Sequence, residues 1–326
     1  MKDTDYAFAV AYIRTLENKM LKKADYDALL GAGSRAEALR LLKEKGYGGI
    51  PGARRDEPSE DILKAEMRRA WSEVATVCPP GAPVDIILYQ NDFHNLKAIL
   101  KAAFSGERFE HLMQEPNTVP PEAIRDAIAV GKPENLPEPL GKGALEAFRA
   151  LAGSGDGQLA EILLDKAMFE AMDGLAERSG SEFLAGWVDL NKAIANMRIA
   201  LRGAYGGRSM EFLRGAMPEC KRINTDHLAE AASRDAAAVM QFFAQGGESG
   251  AADAARESLS AFDKYCDNAL IDYLKAARYR AFGFEPILGY VVCKQYELQA
   301  ARIILSGLEN GTAAEAVRER LRDVYA

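Results

Sequence analysis

The sequence is poor in the residues that carry catalysis and cross-links. Four of its 326 residues are cysteines and three are histidines. Cys78, Cys220, Cys266 and Cys293 are scattered, with no CxxC or Cys/His cluster, which argues against a zinc site or a disulfide framework and suits a reducing compartment. His94, His111 and His227 are isolated and lack the neighbours that make a base or a metal ligand. Neither GxSxG, HExxH nor a strand-linked GxGxxG occurs. The one Gly-Lys candidate for a phosphate loop, Gly131-Lys132, is followed by Pro133 and lacks the earlier glycine. Apolar runs such as Pro286 to Cys293 fall far short of the roughly 20 residues that span a bilayer. The N-terminus starts with acidic residues rather than the basic start and apolar core of a secretion signal. Membrane association is therefore expected only through another protein or the lipid surface. Positive charge is also short, 41 Lys and Arg against 48 Asp and Glu, and a net −7 argues against a general nucleic-acid binder.

What is present is helix-forming sequence. Hydrophobic content of 48% is that of a globular protein, and long segments rich in Ala, Leu, Glu, Lys and Arg predict an all-α fold. The length predicts two or three subdomains. Apolar spacing predicts helices over Tyr6–Met20, Ser59–Val77, Val84–Phe104, Gln158–Arg178 and Phe183–Tyr205. It also predicts helices over Leu228–Phe243 and Asp253–Phe282. Shorter helices are expected at Asp25–Leu29, Ser34–Leu42, Glu122–Val130, Ala144–Leu151, Met210–Leu213 and Ala313–Tyr325. Asp25 and Thr312 are the expected caps of two of them, and Ser34 with Glu37 reads as a capping box. Gly46–Pro58 and the proline-rich Glu115–Gly143 read as irregular connections.

The segment Phe284–Gly311 carries a stripe of Ile287, Val291, Leu298, Ala301, Leu305 and Leu308, and the chain echoes it twice. Shifted back by 205 positions without a gap, Val291, Leu298, Ala301, Leu305 and Leu308 fall on Ile86, Phe93, Leu96, Leu100 and Ala103, with Tyr89 where Lys294 interrupts the stripe, and 101 positions further on stand Trp187, Leu190, Ile194, Met197, Leu201 and Ala204. The same shifts superpose Lys97, Arg198 and Arg302, and likewise Gly106, Gly207 and Gly311. A period near one hundred predicts three similar helical subdomains, residues 1–112, 113–212 and 213–326. The stripes are core. The cations lie off them, where the ordinary role is a surface or intramolecular ion pair worth under about 1 kcal/mol and the other is contact with a partner. By elimination the sequence describes a helical binding or coupling protein with no cofactor.

Over the whole chain the motifs resemble those of the C-subunit family of the V-type (V/A-type) ATPases and ATP synthases, whose eukaryotic vacuolar member is called d. The opening helix has Tyr6, Tyr12, Arg14, Leu16, Glu17 and Leu21; an internal D-x-x-N-L-K is Asp92, Asn95, Leu96 and Lys97; the last part has Pro286, Gly289, Tyr290, Lys294, Gln295, Glu297, Arg302 and Tyr325. Gln295 stands where the family usually has an acid, and Ala193 where a perfect echo of Asp92 would be. The resemblance implies a funnel of three helical subdomains about a pseudo-threefold axis. It implies a peripheral, non-catalytic rotor component on the cytoplasmic face of the membrane, seated on the proteolipid ring and holding the D and F proteins of the central stalk. ATP hydrolysis or synthesis would thereby be linked to H⁺ or Na⁺ transport. Lys97, Arg198, Lys294, Glu297 and Arg302 are the candidate partner-contact or axial charges, with Asp92 and Glu297 as candidate inward acids for the cations. A soluble helical scaffold unconnected with ion transport is the alternative.

Overall fold

Among the described residues helices account for all the regular structure. The computed structural model describes residues 2–48, 58–106 and 108–325, and among these there are sixteen α-helices, four short 3-10 turns and no strand. The chain divides into two units. The first joins both ends of the sequence, Met1–Ala82 with Ala254–Ala326, and the second is the central stretch Pro83–Asp253.

In the first unit α1 (Ala7–Glu17), α2 (Lys23–Leu30), α3 (Arg35–Glu44) and α4 (Ser59–Val77) meet α14 (Leu259–Lys275), α15 (Glu285–Glu309) and α16 (Ala314–Arg320). The 25-residue α15 is the axis of this unit, packed by α1, α4, α14, α3, α16 and α2. Its predicted stripe is buried from Ile287 to Leu305, with Leu308 half-buried. Burial does not stop there. Leu288, Tyr290, Val292, Cys293 and Ile304 are buried as well, so α15 is covered on several faces, and any polar group it carries must find a partner inside the protein.

The second unit contains α5 (Asp85–Ser105), α6 (Pro121–Ala129), α7 (Leu140–Ser154), α8 (Gly157–Ser179), α9 (Glu182–Tyr205), α10 (Met210–Ala216), α11 (Thr225–Arg234) and α12 (Ala236–Gln245). α7 and α8 form the tightest pair. Gly143 allows it, since a Cβ there would come within 2.7 Å of the Ala167 methyl. α5 packs on α8 and α6, while α9 packs on α8, α11 and α12. α13 (Ser249–Glu257) leads back toward α14.

The three repeated glycines share a physical role. Gly106, Gly207 and Gly311 follow the ends of α5, α9 and α15 with φ of +74°, +62° and +63°. That left-handed conformation is strained for a residue with a Cβ, so glycine stops each helix at little cost.

Several boundaries differ from the sequence expectation. The predicted Leu228–Phe243 helix is broken at Asp235, which is extended and accepts a 2.7 Å hydrogen bond from the Ala238 amide. The predicted Asp253–Phe282 helix is likewise broken at Ser258, whose hydroxyl accepts from the Ala261 amide at 3.0 Å. In both places apolar periodicity runs across the break, but a short polar side chain offers the main chain a competing bond and starts a new helix. α14 then ends at Lys275 and passes through a 3-10 turn, Ala276–Tyr279. α7 begins at Leu140, earlier than Ala144. Asp25 does not cap α2 from outside; it lies within the first turn and accepts from the Lys22 amide at 2.9 Å. Ser34 caps α3 as expected. Thr312 caps nothing, and α16 stops at Arg320 rather than Tyr325. Residues 321–325 follow it without regular structure, and Arg322 pairs with Asp267 at 2.7 Å while the Asp323 amide donates to Asn268 at 2.9 Å. The expected Gly46–Pro58 loop lies mostly outside the described residues.

Candidate functional site

Lys294 and Glu297 sit one turn apart on α15 and are only 4% and 3% exposed. An ammonium group has three protons to place, and Lys294 has three acceptors within reach. Its Nζ lies 2.8 Å from Oε1 of Glu66 and 2.5 Å from Oε1 of Glu297, and it donates to the Tyr47 hydroxyl at 3.3 Å. The Tyr47 hydroxyl donates in turn to Glu297. The other Glu297 oxygen accepts from the Leu21 amide at 2.6 Å. Glu66, on α4, also takes both Nε and Nη2 of Arg69, at 3.0 and 2.6 Å. Two cations thus face two carboxylates.

The electrostatics follow from this pairing. Burial alone would push the Glu66 carboxyl up, but Arg69 and Lys294 outweigh it and hold the group below the usual carboxylate range. Burial, then the adjacent Glu297 carboxylate, pushes the Tyr47 phenol well up, so it serves as a neutral donor. Burial also raises the Cys293 thiol, which removes its nucleophilic form at neutral pH. The cluster fastens the Leu21 turn, Tyr47, α4 and α15 to one point.

A second polar knot joins the two ends of the chain. Arg14 of α1 donates through Nη1 to both oxygens of Glu17, at 2.9 and 2.7 Å, and through Nη2 to the carbonyls of Ala277 and Arg280, at 2.9 and 2.8 Å. The Tyr325 hydroxyl donates to Glu17 at 2.9 Å, and Arg278 donates to the Tyr325 carbonyl at 2.9 Å. Gly289 makes room for the phenol, since a Cβ there would lie 2.8 Å from its oxygen.

The three superposed cations are near the surface. Arg302 forms a bidentate pair with Glu60, both bonds 2.8 Å, and this pairing keeps the Glu60 carboxyl below its usual range. Lys97 pairs with Asp165 of α8. Arg198 is half-buried on α9. Neither Asp92 nor Glu297 is the partner of Lys97 or Arg302. Asp92 instead accepts from the Thr118 amide and hydroxyl, at 2.8 and 2.6 Å, and from the Val119 amide at 3.3 Å.

The register that superposes the stripes places Glu297 on Asp92. Both are buried acids that accept main-chain amides of a neighbouring turn. Asn95 and Asn196, also in register and both fully buried, do the same kind of work. Asn95 accepts from the Gln114 amide at 2.7 Å and donates to its carbonyl at 3.0 Å. Asn196 donates to the Pro218 carbonyl at 2.8 Å, but proline has no N–H to return, and Oδ1 of Asn196 has no partner among the described residues.

Residues 9–320 match the ATP synthase (C/AC39) subunit family. The chain belongs to that family. It is 23% identical to the C subunit of the V-type sodium ATPase of Enterococcus hirae over 96% of this chain and 97% of that one. It is 28% identical to the C subunit of the V-type ATP synthase of Thermus thermophilus over 65% of this chain and 68% of that one. With the C subunit of the A-type ATP synthase of Methanocaldococcus jannaschii the figures are 24%, 97% and 86%. Membership makes the chain part of a V/A-type ATPase complex. Among the described residues no helix is long and apolar enough to cross a membrane.

The family motifs are thereby given places in the fold. The opening and closing motifs meet in the first unit, through Leu21 with Glu297 and Glu17 with Tyr325. Asp92 and Asn95 fasten the connection after α5 in the second. Glu66, Tyr47 and Arg69 belong to the Lys294 cluster, yet the sequence pattern does not single them out. Glu66 had a signal: it falls on the buried line of Leu63, Ala70 and Val74 along α4, where a charge needs a partner. Tyr47 had none, being in a glycine-rich stretch that reads as loop.

Proposed function

We propose that the chain is the non-catalytic rotor component that couples the central stalk, formed by the D and F proteins, to the membrane proteolipid ring, so that ATP hydrolysis or synthesis is linked to H⁺ or Na⁺ transport. The observation that carries this reading is the family match over residues 9–320, with a relative of nearly equal length aligned end to end. That relative belongs by name to a sodium ATPase, which makes Na⁺ one of the two ions to assay. A coupler must transmit torque without yielding, and the buried Lys294 cluster and the Glu17–Tyr325 knot supply stiffness of that kind.

Within this reading the three striped helices are the equivalent elements of three subdomains, 1–112, 113–212 and 213–326, forming a funnel about a pseudo-threefold axis. The shared glycine conformation and the Asp92/Glu297 equivalence support it. Lys97, Arg198 and Arg302 are the axial or partner-contact charges. Lys294 and Glu297 act on partners indirectly, by fixing α15, from which Arg302 projects. The protein sits on the cytoplasmic face, peripheral to the membrane.

The test is purification of the tagged chain from detergent-solubilised membranes of its own cell. The proteolipid ring and the D and F stalk proteins should co-purify, and reversing the charge of Lys97 and Arg302 together should reduce stalk recovery while the chain stays folded. Recovery of the tagged chain alone, as a monomer, would favour the scaffold reading.

A further inference from the structure

The geometry points to a docking groove in the second unit for an acidic, amphipathic segment of a protein partner. An open groove of about 540 Å³ runs between the C-terminal part of α5, the end of α7 and the start of α8. Its floor is apolar, formed by the buried Leu100, Leu151 and Leu164. Phe104 stands at its edge, 46% exposed, with its ring edge-on to Phe148 at 5.7 Å. A large apolar side chain kept at this exposure beside an apolar floor is the composition of an interface centre rather than of a solvated surface.

The rim is basic. Lys97, Lys101 and Phe104 follow one another at helical spacing along one side of α5, and Arg208 comes from the turn after α9. Arg208 is held in place over the Phe212 ring, 5.1 Å from its centroid. Lys97 shares its charge with Asp165, and Glu161 is the acid that lines the groove. In a chain of net charge −7, a groove where Lys97 is taken up by Asp165 and Lys101 and Arg208 outnumber the lining acid Glu161 favours an anionic occupant. The apolar floor decides which kind. A nucleic-acid backbone would leave Leu100, Leu151 and Leu164 unused, whereas an amphipathic segment places apolar side chains on the floor and carboxylates against the rim. Such a groove serves any partner that presents a segment of this kind, whether or not the chain is a rotor component.

The experiment replaces Phe104 by p-benzoylphenylalanine in the full chain expressed in its own cell, irradiates, and sequences the cross-linked peptide by mass spectrometry. The expected product is a single protein segment of net negative charge with apolar residues at helical spacing. Its yield should fall about tenfold in a Lys101→Glu/Arg208→Glu background. A Lys101→Ala/Arg208→Ala background should lower it less, and serves if charge reversal unfolds the chain. Cross-linking to lipid or nucleic acid, to a neutral or basic segment, or to nothing would overturn the proposal. So would a yield unaffected by both backgrounds in chains that melt like the parent.

Discussion

Tyr325 and Glu17, 308 positions apart, are joined by a 2.9 Å hydrogen bond from the phenol to the carboxylate. The bond is buried, and burial, then the charge of Glu17, raises the phenol's pKa. The tyrosine therefore stays a donor throughout the physiological pH range. Glu17 keeps its Arg14 bonds when the phenol is lost, so Tyr325→Phe should cost only about 1 kcal/mol. Urea unfolding of the first unit measures it. A loss near zero would mean that the tail is held by its other bonds, those of Arg322, of Asp323 and of Arg278 to the Tyr325 carbonyl.

Gly289→Ala should cost about 1–3 kcal/mol, because the added methyl meets the Tyr325 oxygen and the Ala277 methyl. Removing the phenol oxygen relieves the closer of these contacts. The two substitutions should therefore be less than additive, and a double-mutant cycle with Tyr325→Phe reads the difference.

Lys294→Met leaves Glu66 and Glu297 buried without their common cation. We expect a loss of about 3–5 kcal/mol, as for one partner removed from a buried pair. The loss should shrink on acidification. Glu66 keeps Arg69, so Glu297 is the carboxylate left without a cation, and protonating it removes the unpaired buried charge and favours the folded state. A loss that stays constant between neutral and mildly acid pH would show that solvent reaches the cluster.

The two units should respond oppositely to acid. In the first, Glu60 and Glu66 have folded pKa values below the ordinary value of about 4.3, so their stabilising contribution is present above that value and is lost as pH falls through the folded pKa. In the second, burial raises Asp92, with the Thr118 and Val119 bonds offsetting part of the effect, and burial raises Asp85. Those two favour the folded state increasingly as pH falls through their folded values. Hydrogen exchange corrected for its intrinsic pH dependence should show α4 and α15 losing protection before α5.

Legibility in the sequence followed the physics of each feature. α4 was readable to its termini because proline and an acidic first turn mark its start and Pro79-Pro80-Gly81 its stop. The three glycine stops were readable because a conformation, and not a contact, selects the residue. Asp235 and Ser258 were not, since local side-chain bonds interrupt apolar patterns that continue across them. Lys294 and Glu297 stood out as polar residues on an apolar helix. Glu297 was expected to face inward toward a cation of the repeat, but its pairing with Lys294, and that of Lys294 with Glu66 and Tyr47, could not be seen, because Glu66 and Tyr47 lie more than two hundred positions away.

Coupling is tested most directly by assembling the ATPase complex in vesicles with and without this chain. ATP hydrolysis and ATP-driven ion uptake are then measured on the same preparation. If the chain is the coupler, omitting it leaves hydrolysis by the stalk-bearing part but abolishes ion uptake, and adding it back restores uptake. Undiminished ATP-driven ion uptake in its absence would contradict that role.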